Sequence, residues 1–106
     1  MEANEIERAI RDAIVKHINP REAYIFLFGS RASGEARPAS DYDIGLYQGS
    51  EIPWKVMSRI QNELEEFPIP VDIELVDFSA VSDDFKKLAL KNIRLWNKPE
   101  KNLTLI

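Results

Sequence analysis

Apolar residues recur at Ile6, Ala9, Ile10, Ala13, Ile14 and Ile18, the spacing of one face of a helix. The pattern predicts a helix over residues 5–18. Asn4 is placed to cap it, with Glu7 three positions on as in a capping box, and Pro20 ends it. Residues 23–28 are apolar on both parities, which predicts a strand covered on both faces. Residues 31–34 can form a short helical turn, and a loop holding Pro38 follows. Strict alternation returns over residues 41–47, a second strand. Val56, Met57, Ile60, Leu64 and Phe67 mark a helix over residues 52–67, stopped by Pro68 and Pro70. Residues 71–76 alternate again as a third strand, with Asp77 at its end. Ser82 should cap a last helix whose Phe85, Leu88, Ala89 and Ile93 face the core, and residues 94–96 suit a short edge strand. The expected fold is α/β, a small mixed sheet with helices packed against it.

At 106 residues the chain is expected to be one domain, with only the tail after about residue 97 detachable. It has no cysteine, which excludes disulfides and thiolate metal sites, and its single histidine disfavours zinc. His17 reads as a half-buried or solvated histidine near a helix end. Trp54 reads as packing rather than base stacking. A net charge of −4 offers no basic face for nucleic acid. No apolar run is long enough to span a membrane, and a polar, acidic beginning is unlike a signal peptide, so the expected location is cytoplasmic.

The candidate chemistry lies between the first two strands. Asp41 and Asp43 share one face of a strand, and Tyr42, Ile44 and Leu46 take the other. Two adjacent carboxylates repel, and a hard divalent cation is the usual compensation. Gly29-Ser30 offers a tight turn, backbone N–H groups and a hydroxyl suited to phosphate. Asp72 and Glu74 share one face of the third strand. If that strand lies beside residues 41–46, either can complete a three-carboxylate cluster.

Ten residues separate Ser30 from Asp41, giving Gly-Ser, ten residues, Asp-x-Asp, with Arg31-Ala32-Ser33-Gly34 after Gly-Ser and Ser40 before the acids. This compound motif resembles that of the polymerase-β-like nucleotidyltransferases. The short length and the Val71-to-Phe78 segment are similar to the minimal nucleotidyltransferase (MNT) branch. The resemblance implies transfer of a nucleoside monophosphate, AMP from ATP above all, with release of pyrophosphate. It implies two Mg²⁺ ions held by Asp41, Asp43 and a third acid. It also places Gly29, Ser30, Arg31 and Ser40 at the triphosphate. Counting back from Asp77-Phe78 makes Glu74 the third acid; matching Val-Asp directly makes it Asp72. Such small proteins are commonly paired with a HEPN-domain toxin, which the MNT protein adenylylates on tyrosine as its antitoxin. A HEPN-domain partner is therefore expected, and a homo-oligomer is compatible with the pattern. The competing expectation is a weak or inactive nucleotide- or protein-binding module that neutralises a partner by complex formation.

Overall fold

In the computed structural model, which describes residues 2–105, β1 (Tyr24–Phe28) is buried on both faces, as its double apolar parity requires. It pairs antiparallel with β2 (Tyr42–Tyr47) on one side and with the two-residue β4 (Arg94–Leu95) on the other. On its far side β2 pairs parallel with β3 (Ile73–Asp77), giving the order β3-β2-β1-β4. The small mixed sheet expected from the sequence is therefore present.

The two faces carry different cores. Ile25, Leu27, Ile44, Leu46 and Ile73 pack under α1 (Ala3–Val15) and α3 (Trp54–Glu65), which supply Ile6, Ile10, Ala13, Ile14, Ile60 and Leu64. The opposite face is aromatic. Phe26, Phe28 and Phe78 meet edge-on or tilted, with ring centroids 4.8–6.3 Å apart, beneath α4 (Asp83–Ala89). Gly45 lies under these rings, because a Cβ there would overlap Phe26. Between β1 and β2 sits the one-turn α2 (Ser30–Ser33).

Several local expectations change. The helix α1 begins earlier than Asn4 allows: Glu2 is the N-cap, without a side-chain bond, and its carbonyl accepts from Glu5 and Ile6 N–H. The capping box does not form, because both Glu7 oxygens accept from Arg94 at 2.8 Å. Trp54 is 72% exposed at the start of α3 rather than packed, and Leu88 is 66% exposed on α4. Ser82 does cap α4, its Oγ accepting from Phe85 N–H. His17 is half-buried and bonds Glu63 at 2.9 Å, tying the end of α1 to α3.

The segment after Trp96, detachable by sequence, is tied down. Asn97 accepts from Ile25 N–H (2.7 Å) and donates to the carbonyls of Pro20 (2.6 Å) and Ala23 (2.7 Å). Tyr24 donates to the Leu103 carbonyl, and Leu105 joins the aromatic core. Asp77 ends β3 as expected, and it braces the fold: its buried carboxylate accepts from Ile52 N–H (2.8 Å) and Ser79 N–H (2.9 Å). Among the described residues no helix is long and apolar enough to cross a membrane.

Candidate active site

The chain leaves β1 through Gly29, at φ +72°, a region that glycine enters without steric cost. A second constraint fixes this position: a Cβ on Gly29 would overlap the Asp43 carboxylate. The backbone of the Gly-Ser turn therefore lies directly against the second acid of Asp-x-Asp. The Gly29 carbonyl accepts from Ala32 and Ser33 N–H, and Gly34, at φ +84°, ends the turn in left-handed conformation.

Asp43 lies between two neighbours on the aromatic face of the sheet, opposite Phe28 in β1 and Glu74 in β3. Burial, then Glu74, then Asp41 push its carboxyl above the usual carboxylate range. Asp41 precedes β2 and is exposed; so is Glu74. Asp72 precedes β3, and its carbonyl accepts from Tyr42 N–H at 2.9 Å. Its side chain is not among the charges acting on Asp43. The register thus sets Glu74 beside Asp43, and Asp72, one position before β3, lines the same cleft as Asp41 and Glu74.

No basic side chain among the described residues is ion-paired with any of these four acids. Nor, among those residues, do any three acids stand close enough together to hold a metal ion as they are placed. The uncompensated charge around half-buried Asp43, with oxygen donors only, fits a hard divalent cation such as Mg²⁺. Two clefts flank the acids. One, of about 330 Å³, runs from Phe28 and Gly29 toward Phe85 and Leu88 of α4. The other, of about 500 Å³, opens beside Asp41, Asp72 and Glu74 at the edge of β3.

Arg31 and Ser40, expected at the phosphate, have polar groups engaged inside the connecting loop. Arg31 donates to the Ser40 carbonyl through Nη2 (2.7 Å) and Nε (3.1 Å), and its guanidinium carbon stands 3.9 Å from the Tyr42 ring centroid. Ser40 Oγ accepts from Arg37 N–H at 2.9 Å. Burial raises the Tyr42 hydroxyl pKa, and the Arg31 charge partly opposes it.

Gln61 was not legible as part of this region. Its side chain donates to the Ile73 carbonyl (2.8 Å) and accepts from Leu75 N–H (3.2 Å), on either side of Glu74. A glutamine on an amphipathic helix looks solvated until the strand beneath it is known.

The family model described as "Polymerase beta, Nucleotidyltransferase" matches residues 9–101, a span that includes the Gly-Ser turn and all four acids.

This chain belongs to the polymerase-β nucleotidyltransferase family.

As a nucleotidyltransferase it is similar to the "Probable protein adenylyltransferase MntA" of Haemophilus influenzae. The two are 26% identical over 97 residues, 92% of this chain and 84% of that protein. Its fold is similar to that in a structure of a tri-AMPylated Shewanella oneidensis HEPN toxin with its MNT antitoxin. The TM-score is 0.61 at 19% identity, over 90% of this chain and 72% of that one. It is also similar to a toxin–antitoxin complex with AMP-PNP, at TM-score 0.60 and 20% identity, over 85% and 73% of the two chains.

Proposed function

We propose that this nucleotidyltransferase moves AMP from Mg²⁺-ATP to a tyrosine of a HEPN-domain toxin, and so acts as its antitoxin in the cytoplasm. The observation that carries the reading is the contact of the Gly29 backbone with the Asp43 carboxylate. It joins a phosphate-suited turn to a metal-suited acid within one site. The adenylyltransferase name of the H. influenzae relative and the AMPylated toxin in the S. oneidensis complex support AMP and a protein acceptor. The AMP-PNP in a further complex of this fold supports a nucleoside triphosphate donor.

In this reading Asp41, Asp43 and Glu74 hold two Mg²⁺ ions, and Gly29 and Ser30 hold the triphosphate. When bound, the metal supplies a lowered pKa for the acceptor hydroxyl and neutralises charge on the phosphates. Asp41 and Glu74, both exposed, would supply carboxylate oxygens to the ions beside the half-buried Asp43. The Gly29 turn, packed against Asp43, would bring the donor's phosphates to the acids. The acceptor oxygen would bond to the α-phosphorus and displace pyrophosphate, its proton passing to solvent. Register favours Glu74 over Asp72, since Glu74 is the strand partner of Asp43.

Label transfer from [α-³²P]ATP to the cognate HEPN-domain protein tests this reading. Labelling that needs Mg²⁺ and is lost in Asp41→Ala, Asp43→Ala is expected. A chain that neutralises its partner without any transfer, and equally well with both acids removed, is a binding module instead.

A further inference from the structure

Two of the three acids assigned above, Asp41 and Glu74, are exposed, and neither carboxylate accepts a hydrogen bond or salt bridge from another described residue. A metal site gains affinity when its ligands are held in place before the ion arrives. What holds these two is found on their neighbours in the chain.

Arg31 grips both flanks of Asp41. Its Nη2 and Nε donate to the carbonyl of Ser40, the residue before. Its guanidinium carbon stands over the ring of Tyr42, the residue after, 3.9 Å from the centroid. The Tyr42 N–H is in turn fixed to the Asp72 carbonyl, so the clamp reaches into β3. With Nε and Nη2 on backbone carbonyls and its guanidinium over a ring, Arg31 is held within the loop instead of reaching into solvent. Gln61 does the same for Glu74. One amide, reaching down from α3, donates to the Ile73 carbonyl and accepts from Leu75 N–H, the residues immediately before and after the acid. These are the outward-facing groups of an edge strand, which otherwise fray into water. Asp43 needs no such device, because it lies within β2 between two paired strands.

We propose that Arg31 and Gln61 are positioning residues, each bracketing one exposed acid so that Asp41 and Glu74 are presented to the metal alongside Asp43. The inference rests on the metal reading of the site given above. It also assigns Arg31 a different task from binding the triphosphate.

Lysine cannot replace the fork and the flat face of arginine, so Arg31→Lys separates a bracket from a simple charge. Gln61→Met keeps the volume and removes both bonds. Two measurements on the full chain read the outcome. The first is amide hydrogen exchange without metal. Arg31→Lys should speed the Tyr42 amide about tenfold and leave Leu75 unchanged, and Gln61→Met should do the reverse. The second is Mn²⁺ affinity from the electron paramagnetic resonance of the free ion. Each variant should bind Mn²⁺ about tenfold more weakly while still unfolding cooperatively, the size of effect expected when the residues supporting a ligand are removed. A role confined to stability would lower the melting temperature and leave Mn²⁺ affinity of the folded chain untouched, which would overturn the proposal. So would an Arg31→Lys chain that keeps its Mn²⁺ affinity and its Tyr42 protection but loses affinity for AMP-PNP; Arg31 would then be a phosphate ligand. If the unaltered chain binds no Mn²⁺ while the exchange pattern holds, it is the metal reading that fails, and the brackets stand as features of the fold.

Discussion

Asp43 of β2 and Glu74 of β3 are direct partners across a parallel pair of strands, with Asp43 half-buried and Glu74 exposed. Asp72 lies one position beyond the end of that ladder. If the register selects the third acid, Glu74→Gln should reduce AMP transfer to the partner at least about a hundredfold, whereas Asp72→Asn should cost less than about tenfold. Initial rates at saturating Mg²⁺-ATP make the comparison. Equal losses in the two variants would remove the basis for preferring Glu74.

Gly29 and Gly34 both have positive φ, but only Gly29 abuts another group. Gly34→Ala should therefore cost about 1 kcal/mol, the left-handed penalty alone. Gly29→Ala would place a side chain at φ +72°, ψ −156°, a region essentially confined to glycine, and would also overlap Asp43, so it should cost more while also lowering transfer. Chemical denaturation of both variants gives the difference.

The Asp43 carboxyl titrates above its unfolded value, chiefly through burial and then through Glu74 and Asp41. The sign follows from linkage: the folded state holds this proton more tightly than the unfolded one, so metal-free stability falls as pH rises through the raised pKa. Asp43→Asn should therefore melt higher than the unaltered chain at pH 7 in chelator. Mg²⁺ should raise the melting temperature of the unaltered chain and not that of the variant. A variant that melts lower in chelator would mean that Asp43 is stabilised in its charged form.

Asn97 satisfies Ile25 N–H and the carbonyls of Pro20 and Ala23 with one side chain. Its loss leaves three backbone groups to find water. Asn97→Ala should destabilise the fold by about 2–3 kcal/mol, measured by urea unfolding, without altering Mn²⁺ affinity. A negligible change would return residues 97–105 to the status of a loose tail.

What the sequence made legible was mostly periodic. Strand parity placed Asp43 and Glu74 on one face and Ile73 and Leu75 on the other, and the double apolar parity of Tyr24–Phe28 foretold a strand with helices on both sides. Contacts made across long separations were not legible. Glu7 suits a capping box by spacing, but Arg94, 87 residues away, takes both its oxygens. Asn97 has no local periodicity, so the segment that it anchors to the start of β1 reads as detachable. Trp54 stands at a helix start close to apolar residues and Leu88 falls on the apolar face of its helix by spacing, yet both are exposed. Arg31 looked like a phosphate ligand because it follows Gly-Ser; only the fold shows Ser40 and Tyr42 beside it.

Group transfer to a partner protein is expected at the Asp41–Asp43–Glu74 edge. It is tested most directly by the intact mass of the cognate HEPN-domain protein after incubation with this chain and Mg²⁺-ATP. One AMP group, or a whole multiple of it, should be added and should map to tyrosine. No addition should occur with Asp43→Ala or in chelator. An unchanged partner mass, in a complex that still forms and still silences the toxin, would contradict the claim.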